Sequence, residues 1–272
     1  MPSIYVDHAA TTPMSPAAIS AISQQMQLLG NPSSLHSHGR AARKALEDAR
    51  ELIAQHVDCL PTEVIFTASG TEANNIALKG LFWNGKKHGK QVVVISEIEH
   101  HAILDPAHWL HTHEGAEVIT IPVSKNGVID LQVLRDTVSA RGSEIAVISI
   151  MHSNNETGVL QPLDEVAKAL QDHHAWLHID AAQGFGKELE FLRLPRIDLI
   201  SISAHKIFGP KGVGALYIRH GAPRLAMIKG HQENSTRGGT ENVPGIIGMG
   251  VAAEDIISKT TIYMTGTGKL RD

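Results

Sequence analysis

The sequence predicts an α/β protein built on a mostly parallel seven-stranded sheet with helices on both faces. Three observations carry that expectation. Short apolar runs recur along the chain, at 64–67, 92–96, 118–123, 145–151, 176–180, 199–203 and 213–219. Stretches with helical spacing of apolar residues separate most of them, and strand–helix alternation of this kind gives parallel pairing under helical cover. The last two runs are joined only by the short turn Gly209-Pro210-Lys211-Gly212. No crossover helix fits there, so these two strands are expected to run antiparallel.

Each element follows in chain order. A helix is expected over 16–28, because Ser15 suits its cap and Pro16 its first position. An amphipathic helical run over 41–57 ends just before Cys59 and Pro61. The strand Val64-Ile65-Phe66-Thr67 passes through small residues into a helix over 71–87. Further helical patterns lie at 102–113, 131–138 and 163–173, between the apolar runs already given. No internal repeat or low-complexity linker is visible.

The bulk properties narrow the classes. A chain of 272 residues can bury one substantial core, or one large domain with an appendage. A hydrophobic fraction of 42% and a mean hydropathy of −0.06 are ordinary for a globular protein in water. A net charge of −4 argues against nucleic acid as a principal partner. One cysteine excludes an internal disulfide and fits a reducing, cytoplasmic setting. No secretory leader and no membrane-length apolar run is seen, so no membrane role is expected. The 17 histidines show no HExxH or Cys/His ligand spacing, so no metal site is expected and they are read as surface residues.

Three short motifs carry chemistry. The run Ile197 to Ser203 delivers Ala204-His205-Lys206 to the mouth of a strand. Burial disfavours the charged form of such a lysine, and a neutral amine can form a Schiff base with the aldehyde of pyridoxal 5'-phosphate (PLP). Asp180 closes the apolar run of residues 176–180, and PLP needs a carboxylate against its pyridine nitrogen. Ser69-Gly70-Thr71 opens a helix whose free N–H groups would attract a phosphate. Taken singly, each has a plainer reading: a snorkelling lysine, a turn aspartate and a simple N-cap.

Together with further segments these motifs resemble the cysteine desulfurases of the class V aminotransferase family, PLP-dependent transferases of fold type I. Tyr5-Val6-Asp7-His8-Ala9-Ala10-Thr11-Thr12-Pro13 resembles the family's opening arm, and Gly30-Asn31-Pro32-Ser33-Ser34-Leu35-His36 its next loop. Glu99-His100, Met151-His152-Ser153-Asn154-Asn155-Glu156-Thr157-Gly158 and Arg237-Gly238-Gly239-Thr240-Glu241-Asn242 follow in the family's order. The resemblance implies that Lys206 forms the Schiff base and shuttles the substrate α-proton, while His100 lies over the cofactor ring. It implies Asp180 at the ring nitrogen, Gln183 at the ring oxygen and Asn155 orienting ring and substrate. Gly70, Thr71, Ser203 and His205 would hold the phosphate, with Thr240 supplied by the other protomer of a homodimer.

Some positions depart from the family's pattern. Ala68-Ser69 stands where Ser-Gly is usual, and Lys229 precedes Gly230 where many relatives have a second Gly. The family's sulfur-accepting cysteine and carboxylate-binding arginine belong to a C-terminal region beyond position 272, so the small C-terminal domain is expected to be largely missing here. The expected division is an arm of that domain at 1–15, a large PLP-binding domain at 16–255 and the start of a linker helix at 256–272. Cys59 is expected to be a packing residue, since its neighbours Asp58 and Glu63 oppose a thiolate.

The resemblance implies conversion of L-cysteine to L-alanine, with the sulfur taken as an enzyme persulfide and passed to an acceptor such as an iron–sulfur scaffold protein. The alternatives are another class V activity, selenocysteine lyase or a small aminotransferase, or a non-catalytic PLP-binding dimerisation partner.

Overall fold

The computed structural model describes residues 4–271; residues 1–3 of the expected arm and residue 272 of the expected linker lie outside the described residues. One seven-stranded sheet organises the chain. Its strands are β1 (Val64–Thr67), β2 (Val92–Ser96), β3 (Glu117–Ile121), β4 (Ile145–Met151), β5 (Trp176–Asp180), β6 (Leu199–Ser203) and β7 (Gly214–Ile218). Their spatial order is β1-β7-β6-β5-β4-β2-β3. β7 runs antiparallel to β6, as the turn length required, and also antiparallel to β1. The pairs β2–β3, β2–β4, β4–β5 and β5–β6 are parallel.

Helices cover both faces because the strands are apolar on both sides. On one face lie α3 (Gly70–Lys86) and α4 (His101–Glu114), with Leu78, Phe82, Ile103 and Leu110 packed on Ile65, Val93, Val147 and Leu216. The other face is covered by α2 (Ser37–Val57), α5 (Leu131–Arg141), α6 (Leu163–Ala169) and the helix Val243–Ser258, through Ile53, Leu134, Val166 and Met249. The helix α1 (Pro16–Gln25) packs on the outside of Val243–Ser258. Among the described residues no helix is long and apolar enough to cross a membrane.

Element limits shift where capping decides. α1 stops at Gln25, three residues short of expectation, where Met26 closes the last turn onto Ile22 and Gln24. α6 ends at Ala169 rather than near 173, because Leu170 leaves helical geometry (φ −108°, ψ 8°). β3 begins one residue early and ends at Ile121, while Val123 bridges Ile129 beyond the strand. α2 ends on Asp58 in the left-handed conformation (φ 56°), which turns Cys59 back onto Ala54.

Parallel strands align their carboxyl ends, and this is what positions the site. β4, β5 and β6 finish at Met151, Asp180 and Ser203 on one edge, where an open α/β sheet holds ligands.

Candidate active site

A cavity of about 640 Å³ opens at that edge, roofed by the start of α3 and by the arm at Asp7, Ala9 and Ala10. Nine of the ten residues singled out from the sequence line it: Gly70, Thr71, His100, Asn155, Asp180, Gln183, Ser203, His205 and Lys206. Thr240 does not. It is exposed and borders a smaller hollow of about 120 Å³ beside Thr67 and Arg237.

The β-strand ends set the electrostatics. Asp180 is only 5% exposed, and burial pushes its carboxyl up from the ordinary range. Opposing that shift, the Ala182 N–H donates to Oδ1 at 2.9 Å and the Asn74 amide to Oδ2 at 2.6 Å. His100 and Lys206 also favour its charged form. Two residues back on the same strand, His178 departs from the expected surface placement of the histidines: it is fully buried between Ser149 Oγ (2.8 Å) and Ser201 Oγ (2.9 Å), and burial pushes it down to about 3. Ser149 and Ser201 each stand two residues before a cavity residue, Met151 and Ser203. A hydrogen-bonded row across β4, β5 and β6 therefore supports the floor of the cavity.

Lys206 sits in the single turn Ala204–Lys206 that follows β6. Desolvation lowers its pKa, offset in part by Asp180 and Asp7. Its amine donates to the carbonyls of Ala9 and Ala10, the latter at 2.9 Å. The Gln183 amide reaches the same Ala9 carbonyl at 2.8 Å. Thr12 ties the arm down further: its N–H and hydroxyl both donate to the His205 carbonyl at 2.9 Å. Phe208 N–H in turn donates to Thr12 Oγ1 at 2.7 Å, holding Phe208 at φ +64°, a conformation costly for an aromatic residue.

The opening of α3 is shaped for close approach. Ser69 Oγ accepts from the Glu72 N–H at 3.1 Å, and a Cβ on Gly70 would come within 3.1 Å of the Ser203 side chain. His100 caps α4, its Nδ1 accepting from the Ala102 N–H at 3.0 Å. Just before it, Glu99 is buried with Oε1 accepting from Ser96 Oγ (2.5 Å) and Met151 N–H (2.7 Å), and Oε2 without a partner. Burial pushes its carboxyl up to about 8.

Several of these residues escaped the sequence reading. Asn74 stands in a helical stretch four residues after Gly70, a buried polar position on a sheet-facing helix and so the one legible signal among them. Asp7, Ala9 and Ala10 belong to a segment whose importance was visible only as resemblance.

The sheet order, the strand-end lysine and the buried aspartate place the chain among PLP-dependent transferases of fold type I, and the aminotransferase class-V model matches residues 4–264. The chain belongs to that family. Among its relatives, the cysteine desulfurase IscS of Dictyoglomus turgidum is 42% identical over 99% of this chain and 68% of its own length. The mitochondrial cysteine desulfurase of Drosophila melanogaster is 43% identical over 92% of this chain, which spans 54% of that protein. The solved structure of a NifS-like protein superposes with a TM-score of 0.94 at 35% identity, covering 98% of this chain and 73% of that one.

Proposed function

We propose that this chain binds PLP and carries the cofactor half of a cysteine desulfurase reaction, in which L-cysteine becomes L-alanine and its sulfur passes to an acceptor thiolate. One observation supports this most: a desolvated lysine, a buried carboxylate and a helix N-terminus converge on one cavity. The residues fit the cofactor. Gly70 and Thr71 line the cavity at the start of α3, where the first N–H groups of a helix suit a phosphate, with Thr71, Ser203 and His205 as further donors. Asp180 is a buried carboxylate facing the cavity, suited to a cationic ring N–H.

Bound there, PLP supplies an electron-withdrawing ring that stabilises negative charge at the substrate α-carbon. The chain's own groups do the rest. Lys206 Nζ holds or releases a proton readily because desolvation weakens its hold on the charged form. Asp180 would keep a proton on the ring nitrogen. His100 would cover the ring face, while Asn155 and Gln183 would fix its orientation. Thr240, exposed and outside this cavity, serves the partner's site in a homodimer.

The second half of the reaction needs a thiolate. The sequence holds one cysteine, Cys59, which does not line the cavity and whose thiol burial pushes up to about 12. Glu63 and Asp58 add to that shift. We therefore assign the acceptor thiolate to a group outside residues 1–272, with a cytoplasmic iron–sulfur scaffold protein as the eventual recipient. Borohydride reduction of the PLP-loaded protein followed by peptide mapping should place the pyridoxyl group on Lys206, and Lys206→Ala should abolish it. Labelling at another lysine overturns the assignment. Sulfide release from L-cysteine by residues 1–272 should stay near background and be unchanged by Cys59→Ser. Activity that vanishes with Cys59→Ser would instead make Cys59 the nucleophile.

A further inference from the structure

The start of α3 contains a conflict. The phosphate proposed above would sit at the positive end of this helix, yet the residue after Thr71 is Glu72, a carboxylate in the same first turn. Glu72 has a structural reason to be there. Its Oε2 accepts from the Ala68 N–H at 2.5 Å, and the carboxylate complements the helix dipole. A phosphate dianion competes for that same positive end, and the two anions repel. With only 17% of its side chain exposed, Glu72 is poorly screened by water and salt.

Arg237 meets this carboxylate. Its Nε donates to Glu72 Oε1 at 2.9 Å, and Nη2 approaches Oε2 at 3.5 Å. The guanidinium is itself only 21% exposed. Another ion pair anchors the same segment independently. Glu233 accepts from the two terminal nitrogens of Arg50 at 2.7 and 2.9 Å and from the Phe66 N–H at 2.7 Å. That pairing fastens the left-handed turn at Glu233, Asn234 and Ser235 (φ 47°, 53° and 60°) to β1. Removing the Arg237 charge thus leaves the segment tied to the sheet.

We propose that Arg237 is a positioning residue that masks the Glu72 charge, letting the N-terminus of α3 accept a phosphate dianion in its own protomer. The inference rests on the phosphate reading of Gly70–Thr71. It predicts a particular pattern rather than a simple loss. Arg237→Leu should weaken PLP affinity about tenfold by exposing the cradle to an uncompensated carboxylate. The loss should shrink as salt is raised. Glu72→Gln alone should bind PLP at least as tightly as the parent, since the unpaired guanidinium then adds attraction. The double variant should return to within about twofold of the parent. Pyridoxal, which lacks the phosphate, should bind all four proteins alike.

Equilibrium titration of PLP and of pyridoxal, followed by fluorescence, reads every arm. If Glu72→Gln fails to rescue Arg237→Leu, or pyridoxal affinity falls in parallel, the ion pair is a structural tie and the inference is wrong. Should Arg237→Leu not fold, Glu72→Gln decides alone: weaker PLP binding in that variant overturns charge masking, and equal or tighter binding supports it. A parent protein that binds PLP no better than pyridoxal would instead overturn the phosphate reading of the cradle.

Discussion

Glu99 shows how a single side chain can set pH behaviour without facing the cavity. Its carboxyl rises from an ordinary 4.5 to about 8 because burial outweighs the donors at Ser96 and Met151, with the Asp180 charge adding to the shift. Below the lower value both folded and unfolded chains hold the proton. Between the two values only the folded chain does, so stability falls as pH rises across that window, by at most about 1.4 kcal/mol per pH unit. Glu99→Gln, which keeps an acceptor for Ser96 and Met151, should flatten the fall. Thermal unfolding from pH 5 to 8 measures it, and equal slopes in parent and variant would remove Glu99 as the cause. Lys206 and Asp180 were legible in the sequence because each closes an apolar run, and a polar residue at a strand end needs no partner to be noticed. Glu99 and Glu72 were not. Their partners Met151 and Arg237 lie 52 and 165 positions away, and spacing along one chain carries no sign of such pairings.

At the scale of elements, the cradle depends on how α3 leaves β1 and crosses β7. A Cβ on Gly214, the first residue of β7, would lie 2.6 Å from the Ser69 carbonyl carbon and 2.8 Å from the Ile202 oxygen. Both neighbours are backbone, so neither can step aside without moving the cradle. Gly214→Ala should therefore cost about 1–3 kcal/mol of unfolding free energy, together with a measurable loss of PLP affinity. Denaturant titration and PLP titration test the two halves separately, and an unchanged midpoint would show that the contact yields freely. The seven strands and their main helices were readable from apolar periodicity, and the antiparallel β6–β7 pair from the length of its turn. The lateral order was not, because β1 pairs with β7 through Thr67 and Gly214, 147 positions apart, and nothing local specifies that neighbour.

The whole molecule leaves two features outside its own core. Thr240 is exposed and borders a hollow apart from the main cavity, and Met26, Leu28, Leu29 and Leu35 form an apolar stretch left in solvent, each more than 60% exposed. The proposed homodimer would account for both, by burying the apolar stretch and bringing a second copy to each cavity. PLP retention should accordingly fall on dilution, in step with dissociation. Sedimentation at micromolar protein, with absorbance following the bound cofactor, tests this; a monomer that keeps its PLP and is indifferent to Thr240→Val would overturn it. The stitched arm has a consequence in time. Thr12 and His205 are 193 positions apart, and Lys206 is 196 from Ala10. During synthesis the arm is made early, yet its partners are made only after six of the seven strands. It must wait without them, so the cavity closes late and the roof over Lys206 is among the last native contacts to form.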